Sequence, residues 1–355
     1  MIKLFSQMSE KHELKIKPKN ELDFGSDDES VEEKNHSKPA PKNKITKTTK
    51  TNILNSNNNV KPKFTNPFIL RYLFAVVQTY DFKSWTECFP NNQVMLRSLV
   101  FKPCWNDFFN IVMSKPYYNG MERILSKHLE KNEETIVPHA ELVFNALNVM
   151  PINKIKVVFI GQDPYYGFTK INNKNIPQAM GLCFSVPLGF PKPPSLKNIY
   201  ENLLEYHHIQ SIPESGCLSS WVVQGCLMLN AALTTFFGKA GTHRQIWESF
   251  TKDLITYLSN KCDKLVFLAW GKDAHMLCLN VDPNKHHIIT SSHPSPLAYT
   301  QTYTGFAYGL SKLLKDRKKV TYSAFKSVDH FGRVNKYLKS VGKTEIFWDL
   351  FDAKF

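Results

Sequence analysis

The sequence predicts an α/β fold: a central, mostly parallel four-stranded sheet flanked by helices on both faces, behind a disordered N-terminal tail. Three observations carry this expectation. Four short apolar runs, KIKVVFI (154–160), GCLMLNA (225–231), KLVFLAW (264–270) and HHIIT (286–290), recur in the second half of the chain. Helical patterns separate them, and such alternation builds a parallel sheet buried on both faces. The first 65 residues differ in composition from the other 290.

That opening segment comes first in chain order. DDESVEE (27–33) is acidic; residues 34–65 then hold eight lysines and no acid, and NSNNN (55–59) is low in complexity. Too little apolar surface is present to offset the entropy of ordering, so residues 1–65 are expected to be a disordered charged tail. Apolar density rises at NPFILRYLFAVVQTY (66–80), where folding is expected to begin. Residues 66–94 read as an extension without an evident role, and 95–355 as the main domain. Within that domain, SLKNIYENLLEY (195–206) places Leu196, Ile199, Tyr200 and Leu203 on one face, with Ser195 as its expected N-cap. HRQIWESFTKDLITYLSNK (243–261) does the same with Ile246, Trp247, Phe250, Leu254 and Leu258, and VDHFGRVNKYLKSVG (328–342) reads as a helix stopped by Gly342.

Composition narrows the function. The 355 residues, 42% hydrophobic with 25 Phe, are ample for a sizeable core. No apolar run approaches the ~20 residues of a membrane helix. Glu10, Glu13 and Glu21 argue against a presequence, and seven scattered cysteines without a CxxC read as reduced thiols. An intracellular protein, not secreted, is therefore expected. The net charge of +14 favours a polyanionic partner without choosing among DNA, RNA and acidic lipid. No GxGxxG, P-loop or metal-ligand spacing is present, so neither an organic cofactor nor a metal is expected.

Ligands of open parallel sheets bind at the carboxyl ends of the strands. Each exit here is polar: GQDPYYG (161–167) after the first strand, Asn230 at the end of the second, Gly271 and Lys272 after the third, SSHPSPLA (291–298) after the fourth. Singly, each has an ordinary explanation, since Asp before Pro starts turns, Asn ends strands and His occurs in loops. Four such exits at one end of a sheet converge on a cleft.

These segments, together with GLCFSV (181–186), PPSL (193–196), LMLNAALT (227–234), LAWG (268–271) and HPSPL (293–297), resemble the family-1 uracil-DNA glycosylases in order and nearly in spacing. The resemblance covers roughly residues 95–355. It implies removal of uracil from DNA, single- or double-stranded, by base flipping and hydrolysis of the N-glycosidic bond. By the same resemblance Asp163 positions water and faces the cationic sugar, while His293 stabilises the uracil anion at O2, aided by backbone amides near Gln162. Asn230 reads the base edge, Phe184 stacks on the base, and Tyr165 fills the space of a thymine methyl. Pro193, Pro194, Ser195, Gly271, Lys272 and Ser295 grip the DNA, and Leu297 is a wedge. A monomer in a DNA-containing compartment (nucleus or viral replication site) is expected; the tail lies outside the resemblance and is a candidate contact to replication or repair proteins. The alternative is a glycosylase-fold accessory factor of a replication complex.

Four departures stand out. Tyr166 replaces the family's usual His, and Lys272 its usual Ser. FTKINNKNIPQAM (168–180) is longer than the family's link. About twenty extra residues come after HPSPL, near 299–322, with Lys312, Lys315, Arg317, Lys318 and Lys319 as a candidate DNA-backbone contact.

Overall fold

The structure, a computed structural model, describes residues 67–350 apart from Asn172 and residues 307–318. The predicted tail and Lys312, Lys315, Arg317 and Lys318 of the insertion lie outside the described residues.

The four apolar runs form one sheet. Its strands are β1 (Val157–Gly161), β2 (Cys226–Asn230), β3 (Val266–Trp270) and β4 (His287–Ser291), in the order β2-β1-β3-β4 with all three pairings parallel. Every strand starts one to three residues later than its apolar run. For β1 a 3₁₀ turn over Ile152–Lys154 takes up the start of the run. Every residue of β1, β2 and β3 is buried, so both faces of the pleat are covered. Phe159 shows how: it stacks on Trp221 at 5.7 Å and meets Trp270 edge-on at 5.5 Å.

Seven helices matter to the site and its support: α1 (Pro67–Phe74), α2 (Asn106–Met113), α3 (Pro116–Lys131), α4 (Pro194–Glu205), α5 (Arg244–Lys261), α6 (Gly271–Cys278) and α7 (His330–Ser340). On α5 the predicted stripe of Ile246, Trp247, Phe250, Leu254 and Leu258 is buried, and Phe250 meets Phe108 and Phe109 of α2 edge-on or tilted. The α4 stripe is buried as well, but Ser195 is not its cap. The cap lies two residues earlier, at Pro193, and the helix starts at Pro194 with no side-chain cap. Proline at the first helical position has a preset φ and one fewer N–H to satisfy. Asp329 caps α7 by accepting from the Gly332 amide, and Gly342, at φ +74°, lies just past the end of that helix.

Residues 67–94 form a layer of the main core. Tyr72, Leu73 and Phe74 are buried in it, and Asn145 Nδ2 donates to both Tyr72 O (2.8 Å) and Met180 O (2.7 Å). Two antiparallel hairpins escape the sequence reading. One pairs Phe168–Ile171 with Lys174–Pro177; the other pairs Tyr303–Phe306 with Lys319–Tyr322 at the base of the insertion. Buried His275 of α6 packs against Tyr303 and Tyr322, which anchors the second hairpin.

From β1 the chain passes to β2 on one side, then returns across to β3 on the other. The strand order therefore reverses between β1 and β3, where a crevice opens at the carboxyl ends.

Candidate active site

The crevice begins with the tightest contact in the ladder, Gly161 opposite Asn230. A Cβ at Gly161 would overlap Asn230 Oδ1 and lie 2.8 Å from Cys183 Cβ. Only glycine lets the end of β1 approach both neighbours. Beyond it, Ala231 N donates to Gly161 O (2.8 Å) and Ala232 N to Gln162 O (3.0 Å), so the turns after β1 and β2 are laced together. Asn230 is buried, and its carboxamide makes no hydrogen bond within the described residues.

Asp163 comes next, its side chain only 8% exposed. Arg244, the first residue of α5, reaches it with Nε 3.4 Å from Oδ1 and Nη2 3.2 Å from Oδ2, and turns Nη1 towards Asp273 at 3.5 Å. Burial pushes the Asp163 carboxyl up from its ordinary range, and the guanidinium opposes that shift. Neither Arg244 nor Asp273 stands out in the sequence. The only signal is position: Arg244 opens a helix whose apolar stripe dominates the pattern.

Tyr165 packs into a small apolar cluster with Val77, Ile176, Val186 and Phe190, and its hydroxyl donates to Phe184 O at 3.3 Å. Phe184 itself is at φ +60°, a left-handed conformation uncommon for a phenylalanine. Cys183 N, bonded to Met228 O at 3.1 Å, fixes this segment to β2. The Phe184 ring then lies 5.9 Å from the His293 ring and 5.7 Å from Trp270.

His293 is set by its own loop. The Ser295 amide donates to Nδ1 at 3.0 Å. A ring nitrogen that accepts cannot carry the proton, so the neutral ring holds it on Nε2. Burial lowers the ring's pKa to about 4, which keeps it neutral at physiological pH. Gly271, at φ +80°, is required beside it, because a Cβ there would lie 2.9 Å from His293 Cβ.

The remaining predicted residues surround this centre. Gly271 and Lys272 are not in a loop: α6 continues directly from β3, and both residues lie in its first turn, Lys272 exposed. Ser295 is half-buried, whereas Leu297 is 92% exposed. Pro193–Pro194–Ser195 is tied to the same face because Asn198 Nδ2 of α4 donates to Pro294 O at 2.7 Å. Gln162, Arg244, Trp270, Gly271, Lys272 and His293 line a cavity of about 210 Å³. A larger one, about 600 Å³, lies between α5 and α6 beyond Arg244, and neither His293 nor Asn230 lines it. Among the described residues no group of His, Cys, Asp or Glu could hold a metal ion, and no helix is long and apolar enough to cross a membrane.

Asp163, Asn230 and His293 thus stand at the carboxyl ends of the strands of a parallel sheet, the arrangement of an α/β-fold enzyme. The model of the uracil DNA glycosylase superfamily matches residues 147–316. A relative from Acanthamoeba polyphaga mimivirus, described as "Probable uracil-DNA glycosylase", is 51% identical over 285 residues, which cover 80% of this chain and 75% of the relative. The Pseudomonas aeruginosa uracil-DNA glycosylase is 39% identical over 249 residues, 70% of this chain and 94% of the relative. The crystal structure of mimivirus uracil-DNA glycosylase superposes with a TM-score of 0.76 at 52% identity, covering 80% of this chain and all of that one. The chain belongs to the uracil-DNA glycosylase family. These relatives give no support to the alternative of a replication accessory factor without excision activity.

Proposed function

We propose that this chain extrudes uracil from DNA and hydrolyses the bond between base and deoxyribose, leaving an abasic site for base-excision repair. The observation that carries the reading is the Ser295 N–H bond to His293 Nδ1, which leaves Nε2–H as a fixed donor beside Phe184. In this mechanism the base stacks on Phe184. Asn230 offers one donor and one acceptor to O4 and N3–H of uracil; cytosine presents the reverse polarity there and is refused. Tyr165, held by its apolar cluster, excludes the methyl group of thymine. As the bond between N1 and C1′ breaks, its electron pair leaves with the base, and His293 Nε2–H stabilises the charge gathering on O2. An amide next to Gln162 adds to that stabilisation. Preorganised donors of this kind are worth roughly 2.7–4 kcal/mol each. Asp163, whose ionised form Arg244 favours against the effect of burial, faces the cationic sugar and orients the water that adds to C1′, then takes up its proton.

Substrate grip comes from Pro193, Pro194 and Ser195 at the start of α4, from Gly271 and Lys272 at the start of α6, and from Ser295, each close to a phosphate. Helix N-termini favour such anions. Exposed Leu297 enters the base stack as the uracil leaves it. The insertion base, with exposed Lys319, extends this grip, and the basic tail recruits replication or repair proteins to a monomeric enzyme in a DNA-containing compartment. The decisive experiment incubates the chain, with EDTA present, with matched oligonucleotides carrying U, T or C. Abasic sites should form in the uracil oligonucleotide alone; excision of T or C, or none of U, refutes the reading.

A further inference from the structure

Immediately after the catalytic turn, the long link 168–178 builds a hairpin whose two faces differ. Its inner face carries Ile171 and Ile176, which pack on the cluster that holds Tyr165. Side chains alternate along strands and opposite residues share a face, so Phe168, Lys170 and Asn175 lie on the outer face, whereas Lys174, opposite Ile171, does not. The hairpin is closed at its base by Gln178 N donating to Gly167 O at 2.9 Å. Against it lies the loop after Thr235–Phe236. Gly238 N donates to Tyr166 O at 2.9 Å, and the Phe168 and Phe237 rings are 4.6 Å apart.

The surface so formed is aromatic and cationic. Phe237 is 49% exposed and Tyr166 47%. Neither residues 164–178 nor 231–244 contain an acid. Of their cations, Lys239 pairs with Glu134 and Arg244 with Asp163 and Asp273. Lys170 and Lys174 are exposed and make no ion pair within the described residues. Large exposed rings beside an unpaired lysine suit unstacked bases and a phosphate, and they do so without sequence preference. The surface is continuous with Asp163 through three residues of backbone, so a strand that delivers a nucleotide to the site can run on across it.

We propose that the 168–177 hairpin and the Phe236–Gly241 loop form a platform for unpaired DNA flanking the extruded nucleotide on one side, its bases on Phe237 and Tyr166 and a phosphate on Lys170. The platform rests on the glycosylase reading and adds to it a preference for single-stranded flanks.

The test compares the full chain with the double variant Lys170→Gln, Phe237→Ala, neither of which is in the catalytic or base-reading machinery. Four single-stranded probes are used: a short uracil oligonucleotide with minimal flanks, the same with about 16 further nucleotides on the 5′ side, the same on the 3′ side, and a uracil-free strand of equal length for anisotropy. Expected are unchanged kcat/KM on the short substrate, a fall of about tenfold or more with one of the two flanks, and the same loss of affinity for the uracil-free strand. The log–log salt slope of that binding should flatten by about 0.7, for one phosphate contact on a single strand. Equal losses on short and flanked substrates, losses shared equally by both flanks, or unchanged binding each overturn the platform. Absence of excision from the short substrate by the unmodified chain refutes the glycosylase reading, while the uracil-free strand still reports on the platform.

Discussion

Substituting His293→Leu removes the Nε2–H donor while keeping an apolar side chain of comparable bulk between Phe184 and Gly271. The lost term is one preorganised donor at a developing oxyanion, ~2.7–4 kcal/mol, or a fall of roughly 10²–10³ in the single-turnover rate of uracil excision. The Ser295 amide fixes the neutral tautomer and burial sets the ring's pKa at about 4. The ratio of wild-type to variant rate should therefore be flat from about pH 5.5 to 8.5. Stability changes the opposite way. Between the ordinary value of 6.5 and about 4 the unfolded chain binds a proton that the folded chain refuses. The wild type thus loses stability as pH falls from 6.5 to about 4, and the loss is complete below that. The gap corresponds to something on the order of 3 kcal/mol. Leucine has no proton to bind, so the variant should resist acid better, which urea unfolding at neutral and acid pH reads directly. A loss under about tenfold at every pH, or a rate ratio that shrinks as pH rises through about 6, refutes the neutral-donor assignment.

The other predictions concern the neighbours of that ring. Asp163→Asn should cut excision by at least about a hundredfold while an anisotropy titration still detects DNA binding; near wild-type turnover would reject its role. Arg244→Ala takes away the cation that opposes the upward shift of the Asp163 pKa. That pKa then rises further, and the acid limb of the rate profile should move to higher pH; an unmoved limb would exclude the coupling. Tyr165→Ala should admit thymine and Asn230→Asp some cytosine, both measured on otherwise identical oligonucleotides. Unchanged base choice in the two variants counts against the pocket. Leu297→Ala should slow excision from duplex more than from single strands, where the base is already unstacked; equal losses would reject the wedge.

Much of this site is legible in the sequence because its residues fall at the ends of apolar runs. A run such as KLVFLAW can only be a strand buried on both faces or a core helix, and its short length and flanking patterns decide between them. The polar exits then share one end of the sheet by topology alone. What stays hidden depends on contacts between segments distant in sequence. Arg244 is 81 positions from Asp163, and nothing in HRQIWESF shows that its guanidinium reaches a carboxylate there. The hairpin at 168–177 hides for a different reason: Thr169–Lys170–Ile171 and Asn175–Ile176 alternate too briefly to register against Asn and Lys neighbours. The cap of α4 is misplaced because Ser195 is a strong capping residue in isolation, whereas two successive prolines shift the cap by two residues, to Pro193.

The two amide bonds from Ala231 and Ala232 to Gly161 and Gln162 bear on how this enzyme can be re-engineered. These hydrogen bonds join the turn after Asn230 to the turn that carries Asp163, so neither can be regrafted alone. A redesign of the Asn230 turn for a different nucleobase would drag the Asp163 turn with it. Changes to the two turns should be strongly non-additive, and selection for new base choice should recover substitutions in both turns together.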